Sequence, residues 1–300
     1  MLAIVLALAS AIGYGGSDFA AGLASRSAGI IQVNLLASTV STVAVAAALL
    51  VVGAHPPTGA AVAWGAAAGL GGFVGGLALY LGFRQAAFSV AGPLSAVGAA
   101  GFSVLAGLLF GERPTTLALT GIVLALPAIV AVSASAGRAD PEDVPKVPGG
   151  EVPAASGVRG RPAAGVGAGL IAGGGFALLF IGLDRAGSGS GLWPVATASV
   201  TELVAAVGAA AVTGNVRLPA GRPRWLSMIT GATGALGTIL YFLATHEGFL
   251  AVTAVLTSLY PAVTIVLART VLGERLTAPR LAGLVLAAAC VALIAVGGAG

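Results

Sequence analysis

Ten apolar stretches follow one another along this chain, each close to the roughly 20 residues that an α-helix needs to cross a bilayer. They fall at about 2–22, 31–53, 60–83, 89–110, 116–136, 163–183, 192–213, 225–245, 250–272 and 279–298. Charged residues make up only 8% of the 300 positions, against roughly a quarter in soluble domains. A soluble fold could not solvate its surface with so few charges; a membrane domain can, because lipid surrounds most of it. Lipid offers no hydrogen bonds, so every backbone N–H and C=O must be satisfied within the protein, and helices do this segment by segment. The expected fold class is an all-α integral membrane protein with ten transmembrane helices. The opening run lacks a basic start and continues past signal-peptide length, so it is expected as a retained first span.

Between the fifth and sixth runs lies GRADPEDVPKVPGGEVPAASGVRGRP (residues 137–162), which holds eight of the 24 charged residues amid Pro and Gly. Such a composition predicts a flexible aqueous linker. It separates two parts, 1–136 and 163–300, each with five runs. The parts echo one another at an offset of 162 residues: LFGERPTTLALTGIVLA (Leu109 to Ala125) against VLGERLTAPRLAGLVLA (Val271 to Ala287). At the same offset Gly69, Gly72, Gly75 and Gly121 fall on Gly231, Gly234, Gly237 and Gly283, and Ser95 falls on Thr257. Aligned glycines and a repeated Gly-Glu-Arg-x-Thr point to duplication. Five is odd, so a second copy enters the membrane in the opposite sense. Two inverted five-helix repeats are therefore expected, an architecture of secondary transporters that hold substrate near mid-membrane between the repeats.

The segments SVAGPLSAVGAA and GLLFGERPT in the first part, and SLYPAVTIVLARTVLGERLT in the second, resemble the hallmark segments of the EamA family in the drug/metabolite transporter superfamily. GYGGSDFAAGLASR (Gly13 to Arg26) is similar to the first span of one branch of that family. The resemblance covers the chain apart from the linker. It implies a ten-helix carrier, an exporter of metabolites or drugs, with the first four helices of each half around a central cavity. Similar proteins often carry an Arg in the seventh span, near the position that Ser199 holds here.

Among candidate site residues Glu202 is the sharpest. It sits near the middle of the seventh run, where an ionised carboxylate costs about 2.5–3.5 kcal/mol on insertion scales. It is expected either to face a cavity and exchange protons or to sit protonated against a neighbouring helix. Asp18 lies about five residues from the end of the first run, as a solvated helix end or, by the resemblance, a gate or cavity position. In LTSLYPAVT, Pro261 lacks an N–H, which frees the Thr257 carbonyl and predicts a kink facing a cavity. Thr257, Ser258 and Tyr260 bring polar groups to that kink, with Ser95 as the counterpart of Thr257; a kink healed by its own Thr side chains is the alternative. The glycines of GAAAGLGGFVGG (Gly65 to Gly76) form i, i+4 pairs expected to serve close helix packing. Asp184 and Arg185 are expected as an interfacial ion pair. Glu112-Arg113 and Glu274-Arg275 are expected to pair locally and cap turns.

Other chemistries find no support. The net charge of +4 comes from scattered bases without a stripe, so no nucleic-acid partner is expected. The single lysine, Lys146, lies in the linker, so there is no P-loop. The only cysteine, Cys290, reads as a small core residue, and His55 and His246 stand apart, so no disulfide or metal site is expected. No catalytic constellation emerges: an enzyme is not expected, nor a cofactor. The expected partners are a small-molecule substrate, the lipid bilayer and protons. The fifth and tenth spans, without ionisable groups in their cores, are expected at the periphery, against lipid or a second copy in a homodimer. The sparseness of intramembrane Arg and Lys disfavours phosphorylated anions and leaves neutral, zwitterionic or cationic amphiphiles. A lipid-headgroup flippase and a non-transporting scaffold are the alternative readings. Thirteen arginines to one lysine, beside abundant Ala and Gly, match a GC-rich genome, so the expected location is a bacterial cell (inner) membrane, multi-pass. Twelve of the 14 basic residues fall on the linker's side of the membrane in a ten-span reading, all but Arg113 and Arg185. The bias of Lys and Arg toward the cytoplasm then predicts a cytoplasmic linker and external termini, whereas the resemblance implies cytoplasmic termini.

Overall fold

The computed structural model describes residues 1–52, 56–85, 88–134, 162–272 and 278–297. The expected linker lies outside them except for Pro162, as do Glu274, Arg275, Lys146 and His55. Eleven helices cover the described residues: α1 (Leu2–Ser25), α2 (Ile30–Val52), α3 (Gly59–Gln85), α4 (Phe88–Leu109), α5 (Thr116–Ala134), α6 (Pro162–Arg185), α7 (Trp193–Thr213), α8 (Arg222–His246), α9 (Leu250–Thr257), α10 (Tyr260–Leu272) and α11 (Ala278–Gly297). The protein is all-helical there. Seven stretches are long and apolar enough to cross a membrane: α1, α2, Gly59–Gly82 in α3, Gly167–Arg185 in α6, α7, α8 and Leu250–Val271. Leu94–Leu109 and Thr116–Ala128 are shorter apolar helical stretches. Large apolar side chains stand on the outside, among them Leu50, Val51 and Val212 at 85%, 86% and 89% exposure. This is the inverse of a soluble surface and marks a multi-pass membrane protein.

The expected ninth span differs from a single kinked helix. The chain breaks into α9 and α10, with Ser258 and Leu259 between them. Pro261 is the second residue of α10, where a missing N–H costs nothing because no intrahelical partner awaits it. The break is bridged by tight bonds from the Leu259 N–H to the Leu256 carbonyl (3.2 Å) and from the Ala262 N–H to the Leu259 carbonyl (2.9 Å).

Helices from either side of the linker interleave. α1 packs on α8 and α3 on α6; α5 packs on α11, α2 on α7 and α8, and α4 on α6 and α9. Small residues make these approaches possible. A Cβ on Gly13 would come within 2.8 Å of the Gly237 Cα and 3.0 Å of the Thr233 carbonyl oxygen, so α1 and α8 touch backbone to backbone. A Cβ on Gly175 would meet the Gly75 Cα and the Gly71 carbonyl oxygen, both at 2.7 Å, which joins α6 to α3 in the same manner. Hydroxyls add bonds across these contacts: Ser10 donates to the Gly237 carbonyl (2.8 Å) and Ser17 to the Thr230 carbonyl (3.0 Å). Behind the glycines the core is built largely of Ala, Val and Leu, with Phe180 stacked on Tyr241 at 4.3 Å between centroids.

The three glycine pairs of α3 point in three directions. Gly65 and Gly69 lie under the Pro194 and Ala198 carbonyls of α7, and Gly71 and Gly75 face α6. Gly72 and Gly76 meet only ordinary van der Waals contacts, with Glu202 and Leu179 at the first and Asn34 at the second. Packing therefore explains two pairs, and the third opens space.

Trp64, Trp193 and Trp225 stand near the starts of α3, α7 and α8, as interfacial anchors do. Glu112, Asp184 and Arg185 lie near the ends of α4 and α6, where their partners differ from expectation. The Glu112 carboxylate accepts the N–H groups of Leu250 and Ala251 (2.9 Å for Ala251), which caps the start of α9 from across the chain. Capping was expected of Glu112, but of its own turn; the first N–H groups of α9 have no intrahelical acceptor, and a carboxylate is their strongest available partner. Burial pushes the Glu112 carboxyl above its ordinary range, and the two amide bonds pull it back only in part. Asp184 accepts a 2.6 Å bond from Thr245 of α8, while the Arg185 guanidinium lies 4.5 Å over the Phe110 ring. Each member of the expected Asp184–Arg185 pair thus has a further contact of its own, while the two opposite charges remain within electrostatic reach of one another. Adjacent residues on a helix point about 100° apart, so each side chain finds its own neighbour.

Candidate functional site

A cavity of about 890 Å³, including the space open at its mouth, lies among α1, α2, α3, α6, α7, α8 and the start of α10. The helical period writes its lining into the sequence. α1 offers Tyr14, Ser17 and Asp18; α2 offers Asn34, Ala37 and Ser41; α3 offers Gly69, Gly72, Gly76 and Tyr80. These sets repeat at steps of three and four, the signature of one helix face. From α7 come Ser199 and Glu202, from α8 Thr230 and Thr238, and from α6 the rings of Phe176 and Phe180.

Three of the seven residues singled out by sequence line this cavity: Asp18, Glu202 and Tyr260. Glu202 lies against Gly72, where a Cβ would come 3.7 Å from its Oε2. A larger residue there would crowd the carboxylate. Tyr260 shares a 2.9 Å hydrogen bond with Ser95 of α4, and Ser95 also donates to the Gly92 carbonyl at 2.8 Å. Ser95 is thus behind the lining and holds the Tyr260 hydroxyl in place. Thr257 is fully buried away from the cavity and donates to the Ala7 carbonyl of α1 (3.3 Å). Ser258 is fully buried, with no partner for its Oγ among the described residues. Pro261 sets the break that turns Tyr260 into the cavity and contributes no lining of its own. The helix break therefore delivers one ring to the cavity rather than a polar cluster.

Sequence reasoning missed Tyr14, Asn34 and Tyr80. Tyr14 shares a 3.0 Å bond with Thr238, spanning α1 and α8. Asn34 is 6% exposed, and its Oδ1 has no hydrogen-bond partner. The signal was there in part: small and polar residues recur every three or four positions along these helices.

Chemically the site is acceptor-rich. Neither the Asp18 nor the Glu202 carboxylate accepts a hydrogen bond from any described residue. No Lys, Arg or His is among the described lining residues. No group of three or more His, Cys, Asp or Glu among the described residues is arranged to hold a metal.

Fold and site together define a helical multi-pass membrane protein with an acidic, aromatic-lined cavity inside the bundle. No protein-family model matches the chain, and no curated protein does. Its fold is shared with solved structures: one, at 15% identity, aligns over 96% of this chain and 98% of its own with a TM-score of 0.70. That likeness extends over the whole architecture, cavity-forming helices included.

Proposed function

We propose that this protein is a secondary carrier of the EamA type, with ten spans in two inverted five-helix repeats. It exports a small metabolite or drug-like amphiphile by alternating access, coupled to protons. The observation that carries this reading is a carboxylate from each half, Asp18 and Glu202, opening onto one cavity without a hydrogen-bond donor among the described residues. A structural carboxylate inside a membrane protein is normally paired; one left open to a cavity is available to a proton or a ligand. The packing supports the repeat. Shifting the contact of Gly13 with Gly237 and Thr233 by the sequence offset turns it into the contact of Gly175 with Gly75 and Gly71. A helix broken at mid-span is a further feature of carriers that place substrate between repeats.

The test is transport by purified protein in vesicles. A pH gradient should drive accumulation of individual compounds from a mixture of small metabolites, read by mass spectrometry. Glu202→Gln should abolish that accumulation while leaving expression and melting behaviour near those of the parent. Accumulation with unchanged pH dependence in the variant would remove Glu202 from the coupling. No flux of any compound would remove the carrier reading.

A further inference from the structure

We infer that the cavity takes an organic ammonium ion that carries N–H donors on a flat apolar body, with the charge held between Asp18 and Glu202. This inference rests on the proposed reading of the cavity as the substrate site. Two carboxylates border it with no positive side chain among the described lining residues, so an anion would meet only like charge. A neutral molecule would leave both carboxylates unpaired unless each takes up a proton, whereas a cation pairs with them directly.

Asn34 adds an independent polar group at the same cavity. It comes from a different helix, is more than nine-tenths buried and lines the same cavity, and its buried Oδ1 has no donor among the described residues. A buried acceptor without a donor is costly unless a ligand supplies one. A protonated amine has N–H groups to give; a fully alkylated ammonium has none. The rings of Tyr80, Phe176 and Phe180 form the apolar walls, suited to a flat body and to the face-on approach of a cation. Gly72 keeps the wall thin beside Glu202, which leaves room for a ligand atom at the carboxylate.

The experiment uses the full chain in detergent and four probes that share one phenethyl body: phenethylammonium, its N-trimethylated form, phenethyl alcohol and hydrocinnamate. Binding is read by melting shift and by direct titration, and flux is read on the same protein in vesicles. Phenethylammonium should bind best, the trimethylated ion about tenfold more weakly, and the alcohol and carboxylate not measurably at millimolar concentration. Asp18→Asn and Glu202→Gln should each weaken phenethylammonium binding by about tenfold or more. Asp18→Glu should restore part of the loss, and Glu247→Gln, outside the cavity, should leave binding unchanged. Equal binding of the alcohol or carboxylate overturns the proposal, as does indifference to both substitutions or failure of every ammonium probe to bind. Tighter binding of the trimethylated ion overturns the role given to Asn34. Binding without flux keeps the ammonium site and sinks the carrier reading; flux of the alcohol or carboxylate alone does the reverse.

Discussion

Gly13 and Gly237 meet so closely that α1 has no room for a methyl group at Gly13; a Cβ there would stand 2.8 Å from the Gly237 Cα. Gly175 meets Gly75 in the same way between α6 and α3. Gly175→Ala would push backbone against backbone, and overpacking of that kind costs about 1–3 kcal/mol. Gly208 of α7 is also helical, but a Cβ there meets nothing within 4 Å. Gly208→Ala should therefore stabilise by about 0.5–1 kcal/mol through backbone entropy alone. Melting of the two variants in the same detergent checks the pair, and equal midpoints would mean that the glycine contact is not tight.

Glu112 provides a test of the connection between α9 and the turn after α4. Glu112→Ala leaves the Leu250 and Ala251 N–H groups without their acceptor and should cost about 1–2 kcal/mol, as loss of a helix cap does. Glu112→Gln keeps an acceptor oxygen and should lose less. Hydrogen exchange at these two amides is the direct readout. Protection that survives Glu112→Ala would show that other groups cap α9.

The Ser95–Tyr260 bond joins α4 to α10 at the cavity wall. Ser95→Ala and Tyr260→Phe should each cost about 1 kcal/mol, and the double variant little more than either alone, because both remove the same bond. Additive losses in a double-mutant cycle would mean that the hydroxyls act separately.

Cysteine labelling separates lining from packing. Tyr260→Cys and Ser41→Cys should react with a small aqueous thiol reagent, whereas Thr257→Cys, fully buried against α1, should not. The parent's Cys290 is itself buried and should stay silent. Rapid labelling at Thr257 would place water behind the helix break.

Orientation follows from charge. In the proposed ten-span arrangement twelve of the 14 basic residues fall on the linker's side, so a fluorescent protein fused to the C-terminus should be dark and a phosphatase active, as expected of an external terminus. Bright fluorescence without phosphatase activity would mean that the charge bias does not set this topology.

Much of this architecture was legible because lipid imposes long apolar helices, and their length alone separates one from the next. Asp18 and Glu202 stood out for the same reason: a carboxylate in such a run is costly. The break after Thr257 was only half legible. Pro261 announces an interruption, but whether it bends a helix or starts a new one depends on which neighbours cover Ser258 and Leu259. Asn34 and Tyr80 were hidden because an uncharged polar residue on an apolar helix is cheap, so its facing carries the information and not its presence. The capping of α9 by Glu112 could not be read at all, since 138 residues separate the carboxylate from the Leu250 amide.

The placement of the tryptophans has an optical consequence. Trp64, Trp193 and Trp225 stand near helix starts, and none borders the cavity, whose wall carries the tyrosines Tyr14, Tyr80 and Tyr260 instead. Emission excited at the red edge of indole absorption therefore reports on the helix starts rather than on what occupies the cavity. A single tryptophan introduced at Phe176 or Phe180, read against a background in which the three native ones are replaced by phenylalanine, would turn the dark interior into the only light source.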